Sequence, residues 1–252
     1  SPKPSGRGLK KDVSKLALCA ESLDIKITYQ DDISSSNFIT ILSAYSPDIF
    51  IVIDYKIIPE ELLNIPKLGC INLHASLLPN YKGASPIQRA LMNNDSYLGI
   101  TTFFINNKID DGKLIQQKKV KVQNYTTYSE AYALLSKEGS ILMNSTLTYL
   151  SKNNFKLLKQ PKPTIKCIYK DTFTTYAKKI HKDEYKIDFN LSSLQIHNKI
   201  RALTMPGCYT YYNSKRIKLF ETYYSNKNNM NLTIGQFSIN ENKKLVVGCK
   251  SG

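Results

Sequence analysis

Two polar side chains, Asn72 and His74, stand at the end of an apolar segment that begins at Cys70. Because side chains alternate along a strand, Asn72 and His74 project from one face and their apolar neighbours project from the other. In an open α/β sheet, ligands bind in the crevice beyond the carboxyl ends of the strands. The segment therefore predicts a polar pair that faces one ligand site.

An amide beside an imidazole suits acyl transfer. That chemistry needs donors aimed at a developing oxyanion, a group that handles protons, and a partner that holds the imidazole. Asn72 and His74 supply the first two groups, and a carboxylate near His74 would favour its protonated form. Asp110 and Asp111, in the turn-forming segment 106–112, are equal candidates on chemistry alone. A lone histidine is more often structural than catalytic, so the residues by themselves leave both readings open.

The elements that must position these residues alternate along the chain. Ser85 is predicted to cap a helix whose first residue is Pro86. Strands are predicted over 25–29, 49–55, 99–105 and 114–122, and helices over 13–22, 37–45, 86–92 and 127–150. This alternation predicts an α/β domain with a Rossmann-like, mostly parallel sheet over residues 1–153.

The remaining residues differ in pattern and in charge. Residues 154–172 lack apolar periodicity and are predicted to be a linker. Residues 173–252 combine a helix over 192–203 with short alternating segments, which predicts a small β-rich domain resembling an OB barrel. Residues 154–252 carry 18 Lys and Arg against 6 Asp and Glu, which is +12 of the net +15. A basic carboxyl-terminal part favours a polyanionic partner, although a Lys-rich coding bias also explains it.

Composition limits the other classes of function. The five cysteines are dispersed and form no C-x-x-C pair, which argues against metal and disulfide sites. No run approaches the roughly 18 apolar residues of a membrane helix. We expect a soluble, monomeric protein of a reducing compartment, the bacterial cytoplasm or alternatively an organelle matrix. The chain begins without Met, and its natural amino terminus is expected to lie upstream.

Segment 72–79, followed by 81–88, resembles the signature of the folate-dependent formyltransferase family, and within it of members that act on methionyl-tRNA. The similarity continues through Asp95, 99–101 and 109–112, where the family has an aspartate followed by Thr and Gly. The match identifies Asp110 as the catalytic aspartate and puts Asp111 at the usual Thr position. Segments 4–11 and 200–210 are similar to the family's basic loop and to the start of its carboxyl-terminal domain.

The resemblance implies transfer of a formyl group from 10-formyltetrahydrofolate to the amino group of methionine on initiator tRNA, without a metal. Asn72 and His74 would donate to the oxyanion, and Asp110 would hold His74 and help move the proton. The folate crevice would be lined by Ser76, Leu77, Leu78 and Pro79. The basic loop would contact tRNA through Arg7, Lys10 and Lys11.

Three departures from the family pattern are Asp54, Lys56 and Lys113. The first two bear on folate affinity, and the third is expected to be a surface change. The family's first strands and its last strands are expected outside this chain, and a trimmed chain is expected to be weakly active. Two alternatives stay open. One is a formyltransferase for a small amine, such as an amino sugar nucleotide or glycinamide ribonucleotide, and the other is a non-catalytic RNA-binding relative.

Overall fold

The computed structural model describes residues 3–5, 10–12, 14–53, 58–152, 154–162, 176–225 and 231–251, and of residues 3–5, 10–12 and 15 only the backbone. The chain forms two compact units. The first consists of Ser1–Phe50 with Lys56–Gly69, and the second of Ile51–Tyr55 with Cys70–Gly252. All the residues of the predicted formyl-transfer site belong to the second unit. The domain limits predicted at 153 and 172 stay predictions.

The first unit holds a short antiparallel hairpin and three helices. These elements are β1 (Lys3–Ser5), β2 (Lys10–Asp12), α1 (Lys15–Ser22), α2 (Ser36–Ala44) and α3 (Glu60–Leu63). Ser14 begins α1, because its Oγ accepts a hydrogen bond from the backbone N–H of Ala17 at 3.1 Å. The strand predicted over 25–29 is wrong, since these residues pair with no strand in the described part of the chain. An apolar alternation forms a strand only where a partner ladder satisfies its backbone.

The second unit is built on a four-stranded sheet in the order β3–β4–β5–β6. Its strands are β3 (Phe50–Val52), β4 (Cys70–His74), β5 (Tyr97–Phe104) and β6 (Leu114–Lys121). The α/β class is confirmed. The pairs β4–β5 and β5–β6, however, are antiparallel, so the expectation of parallel neighbours does not hold for these strands. The connection from β5 to β6 spans only residues 105–113, which is too short for the crossover that parallel neighbours require.

Helix α4 (Pro86–Met92) packs against α5 (Tyr128–Leu150), and α5 packs against strands β5 and β6. Pro86 is the first residue of α4 as predicted, while the Ser85 side chain makes no capping bond. Thr127 and Glu130 form a capping box that begins α5. Gly139 lets α5 approach β4 closely, because a Cβ at this position would lie 2.9 Å from Cδ2 of Leu73.

The carboxyl-terminal residues are rich in strands, as predicted. They contain a 3₁₀ helix (Lys182–Tyr185), α6 (Ser193–Ala202), β7 (Cys208–Tyr212), β8 (Lys215–Leu219), β9 (Phe237–Ile239) and β10 (Leu245–Val247). The strands form two separate antiparallel pairs, β7–β8 and β9–β10. A closed barrel therefore stays a prediction.

Helix α6 packs on α4, and Arg201 joins the two. The guanidinium of Arg201, only 4% exposed, donates to the carbonyl of Leu91 at 3.1 Å and to that of Thr126 at 2.9 Å. Ile196 and Ile200 belong to the same buried cluster as Leu91. The β-rich part is thus anchored to the sheet through α4 and α6. Within the described residues, no helix is both long and apolar enough to cross a membrane.

Candidate active site

Strand β4 presents Asn72 and His74 on one face, as its alternation predicts. Leu73, between them, points to the opposite face and packs against α5 at Gly139. The register pairs Asn72 with Phe103 and His74 with Thr101 of β5. The Asn72 side chain is partly buried, and its Nδ2 donates to the carbonyl of Val52 on β3 at 3.0 Å. Asn72 is therefore held by the neighbouring strand.

The structure brings His74 and Asp110 together. Nδ1 of His74 lies 3.6 Å from Oδ2 of Asp110, and the two side chains are 9% and 17% exposed. The other ring nitrogen, Nε2, lies 2.9 Å from the carbonyl oxygen of Tyr81. A carbonyl only accepts hydrogen bonds, so Nε2 must carry a proton. His74 thus turns Nδ1 toward the carboxylate.

Two segments that are distant in the sequence hold Asp110 in place. Its Oδ2 accepts a hydrogen bond from the backbone N–H of Gly83 at 2.7 Å, and its carbonyl accepts one from Nε2 of Gln160 at 2.8 Å. The backbone of Asp110 is left-handed, with φ of 49°. Gly112 is required nearby, because a Cβ there would lie 1.5 Å from the carbonyl oxygen of Phe104.

Asp111 points to a different partner. Its carboxylate forms an ion pair with the buried ammonium of Lys82, and its side chain is 41% exposed. The two aspartates that chemistry alone could not separate therefore have different surroundings. Asp110 faces the imidazole, and Asp111 neutralises a lysine beside it.

Loop residues 76–79, the predicted folate wall, are fixed by two side chains of the sheet. Thr101 Oγ1 donates to the carbonyl of Ser76 at 2.6 Å and accepts from the N–H of Leu78 at 3.1 Å. Gln117 Nε2 donates to Thr101 Oγ1 at 2.8 Å and to the carbonyl of Leu78 at 2.9 Å. The loop is consequently preformed rather than loosely attached.

The predicted wall residues differ in exposure. Ser76, Leu78 and Pro79 are buried, and Leu78 packs with Phe103 and Leu114 in a small apolar cluster. Leu77 is partly buried. The assignment of residues 76–79 to the folate stays a prediction.

Other predicted features lie partly outside the described residues. Arg7, Asp54 and Lys56 are among the residues that the structure does not describe, and for Lys10 and Lys11 only the backbone of β2 is described. Lys113 is exposed, in keeping with a surface change. Among the described residues, no group of three or more His, Cys, Asp or Glu side chains is arranged to hold a metal ion.

The second buried histidine is structural. His197 on α6 lies between Oγ1 of Thr222 at 3.1 Å and the carbonyl of Asn124 at 3.2 Å, and its ring packs on Tyr224. Burial lowers its pKa, and the charge of Arg201 acts in the same direction. The ring is therefore kept neutral inside the fold.

Sequence reasoning did not assign roles to Lys82, Tyr81, Thr101 or Gln117, which surround the site. For Lys82, Tyr81 and Thr101, the only signal in the sequence was that they lie in segments 81–88 and 99–101, which resemble the family. Gln117 gave no local signal, because its contact with the loop depends on the pairing of β5 with β6.

Comparison with known proteins shows the family of the chain. Residues 1–147 match the family described as Formyl transferase, and residues 179–252 match Formyl transferase, C-terminal domain. The chain is 36% identical over 225 residues to the methionyl-tRNA formyltransferase of Clostridium tetani (strain Massachusetts / E88), covering 87% of this chain and 69% of the relative. It is 35% identical over 222 residues to the enzyme of that name from Thermodesulfovibrio yellowstonii, with the same two coverages.

A solved structure with a similar fold is WlaRD, a sugar 3N-formyl transferase in the presence of dTDP and 5-N-formyl-THF. It superimposes with a TM-score of 0.64 and 23% identity, covering 94% of this chain and 78% of that one. The resemblance read from the sequence is confirmed at the level of the family. By the two matched regions and the identity to full-length relatives, the chain belongs to the formyl transferase family.

Proposed function

We propose that this protein transfers the formyl group of 10-formyltetrahydrofolate to the amino group of methionine esterified to initiator tRNA. The observation that carries the proposal is the approach of His74 Nδ1 to Asp110 Oδ2 at 3.6 Å, beside Asn72 on the same strand face. The relatives named methionyl-tRNA formyltransferase support the choice of amine. We assign the reaction to translation initiation by a monomer in the bacterial cytoplasm, with an organelle matrix as the alternative.

The donors suit a formyl oxygen that becomes negative. An amide carries two N–H groups, and the carbonyl of Val52 takes one from Asn72. We assign the second N–H of Asn72 as a hydrogen-bond donor to the formyl oxygen. At 3.6 Å, His74 Nδ1 and Asp110 are too far apart for a good hydrogen bond, so a proton on Nδ1 has room to point at the same oxygen. One such donor typically lowers the barrier by about 3 to 4 kcal/mol.

Asp110 is placed to stabilise positive charge and to accept a proton. Its carboxylate stabilises the positive charge of His74 whenever the ring carries two protons. A carboxylate here also accepts, directly or through a water molecule, the proton that the attacking amine loses. The amine nitrogen bonds to the formyl carbon and gives a tetrahedral centre with a negative oxygen. The bond from that carbon to the folate nitrogen then breaks, and the proton passes to the folate nitrogen.

The residues around the loop fit a folate. Thr101 and Gln117 fix segment 76–79 at the end of the sheet that carries Asn72 and His74. A preformed loop lowers the ordering cost of binding a large, flat co-substrate. When bound, 10-formyltetrahydrofolate supplies the formyl group, and Ser76, Leu77, Leu78 and Pro79 are the residues that we assign to its crevice.

The carboxyl-terminal part supports a tRNA partner. Hairpin β7–β8 carries Lys215, Arg216 and Lys218 together with tyrosines, and Arg216 lies over the ring of Tyr209 at 3.8 Å. Basic and aromatic side chains on one hairpin suit the phosphates and bases of RNA. We assign Arg7, Lys10 and Lys11 to the same partner on the strength of the similarity of their loop to that of the family.

The test is formyl transfer by the purified protein with 10-formyltetrahydrofolate and equal concentrations of methionyl-tRNA, glycinamide ribonucleotide and an amino sugar nucleotide. We expect formylmethionyl-tRNA as the product, and its loss in His74→Ala. His181→Gln is the matched control, since the residue is exposed. Formylation of a small amine instead, or RNA binding without any transfer, would replace the proposal with one of the two alternatives.

A further inference from the structure

We propose that Tyr81 and Asp95 form a positioning pair that holds Nε2–H of His74 at the carbonyl of Tyr81 and so leaves Nδ1, with the proton it carries in the imidazolium, for the reaction. The kinetic part of this proposal rests on the proposed function. The pair does not touch the formyl group, and it acts through the backbone of Tyr81. Neither residue received a role from the sequence, although both lie in the segments that resemble the family.

The carbonyl of Tyr81 is the direct link to the imidazole. Its oxygen lies 2.9 Å from Nε2 of His74, and both residues are buried. Tyr81 has a left-handed backbone, with φ of 57°, and this conformation is uncommon for a residue with a bulky side chain. The unusual backbone turns the carbonyl toward the histidine, and something must hold the residue in that conformation.

The side chain of Tyr81 provides the hold. Its ring lies in the main buried cluster with Ala90 and Leu91 of α4, and only 5% of the residue is exposed. Its hydroxyl donates to Oδ2 of Asp95 at 2.8 Å. A tyrosine anchored at both ring and hydroxyl cannot rotate its backbone without breaking one of these contacts.

Asp95 is itself fixed by the end of α4. Its backbone N–H donates to the carbonyl of Ala90 at 3.1 Å, and Nδ2 of Asn93 donates to its Oδ1 at 2.9 Å. Burial raises the pKa of the Asp95 carboxyl, while the hydrogen bonds from Tyr81 and Asn93 oppose that rise. The carboxylate is thus partly buried and receives a donor on each oxygen.

The result is a path of contacts from the end of α4 to the imidazole. Asp95 holds the hydroxyl of Tyr81, Tyr81 holds Nε2–H of His74, and Asp110 faces Nδ1. A histidine whose second nitrogen is fixed by a hydrogen bond has a defined tautomer. Without the pair, the neutral ring would exchange its proton between the two nitrogens.

The test measures the tautomer directly. In protein labelled with ¹⁵N-histidine, at pH 9 where an ordinary imidazole is neutral, we expect His74 to give the shifts of a single Nε2–H tautomer. Tyr81→Phe removes the hydroxyl and keeps the ring, and Asp95→Asn keeps the size but places an amide where two donors meet. We expect both variants to give a mixture of tautomers. Tyr132→Phe, on the exposed face of α5, should leave the shifts unchanged.

Kinetics give a second readout. We expect each variant to lower kcat about tenfold to a hundredfold, the loss typical of a misplaced catalytic group, with the KM values changed less than twofold. The double variant should lose no more than the worse single one, because the two residues act as one unit. A single Nε2–H tautomer in folded Tyr81→Phe, or losses that multiply in the double variant, would overturn the pair. If Tyr81→Phe fails to fold, Asp95→Asn decides alone.

The two proposals fail separately. If the wild-type protein transfers no formyl group, the proposed function is wrong, and the tautomer of His74 still decides whether Tyr81 and Asp95 position it. A merely structural pair would lower the melting temperature and leave both the tautomer and kcat unchanged.

Discussion

Thr101 of β5 faces Gln117 of β6 in register, and the Nε2 of Gln117 donates to the hydroxyl of Thr101 at 2.8 Å. Together the two side chains make four hydrogen bonds within the site: one with each other and three with the backbone of the loop after β4. Neighbouring strands therefore help to set the shape of the proposed folate loop, together with the bond from Ser76 Oγ to the carbonyl of Asn80 within the loop.

Thr101→Val should free this loop while keeping the volume of the side chain. The change leaves the N–H of Leu78 and the carbonyl of Ser76 without their buried partner, which costs about 1 to 3 kcal/mol of stability. We expect a higher KM for the folate and little change in KM for tRNA, measured alongside urea unfolding. Thr148→Val, on the exposed side of α5, is the control. An unchanged KM for folate would show that this loop does not contribute to binding of the co-substrate.

Asp110 and Asp111 should respond differently to the same substitution. Asp110→Asn removes the charge next to His74 and is expected to lower kcat about a hundredfold or more. Asp111→Asn replaces the ion pair with Lys82 by a neutral hydrogen bond away from the imidazole, and should change kcat by a few-fold at most. Single-turnover formyl transfer compares the two, and equal losses would contradict the assignment of Asp110.

His197 should make the fold sensitive to mild acid. Burial lowers its pKa in the folded protein, while in the unfolded chain it has the ordinary value of about 6.5. The unfolded chain therefore binds more protons as the pH falls below about 6.5, and stability decreases in that direction. We expect the free energy of unfolding to decrease from pH 7 to pH 5, and to decrease less in His197→Gln. Parallel curves for the two proteins would rule out this histidine as the cause.

Neutralising Arg7, Lys10 and Lys11 together should weaken tRNA binding and flatten its salt dependence. Each lost phosphate contact reduces the slope of log K against log salt by about 0.7 to 0.9. Folate binding should not change. Titrations at several salt concentrations measure the slope, with Lys137→Ala on α5 as the control. A slope equal to that of the wild type would refute a role for this loop.

The elements around the site were predictable because their signals are local. The apolar run into Asn72 and the proline at the start of α4 mark strand and helix without any tertiary information. The strand expected over 25–29 failed for the opposite reason, since its formation depends on a partner that no local pattern reveals. The antiparallel order of β4, β5 and β6 was likewise hidden, because alternation of elements does not report strand direction.

Within the site, chemistry alone could not decide between Asp110 and Asp111. The left-handed backbone of Asp110 and its bond from Gly83 turn one carboxylate inward, and such geometry depends on residues distant in the sequence. The contacts of Gln117 and Tyr81 are distant for the same reason. Residue types and spacing thus indicated the candidate groups, and tertiary structure supplied the residues that hold them.

Two arginines join helix α4 to the carboxyl-terminal part, and this limits how the protein can be recombined with its relatives. Arg89 forms a bidentate pair with Glu184, and Arg201 reaches back to the carbonyl of Leu91. A chimera that replaces residues 176–251 alone would remove Glu184, the partner of Arg89, and Arg201, the donor to the Leu91 carbonyl. Each group left without its partner would cost about 1 to 3 kcal/mol. A chimera designed to exchange RNA specificity between family members should therefore take α4 and the carboxyl-terminal part from the same parent protein.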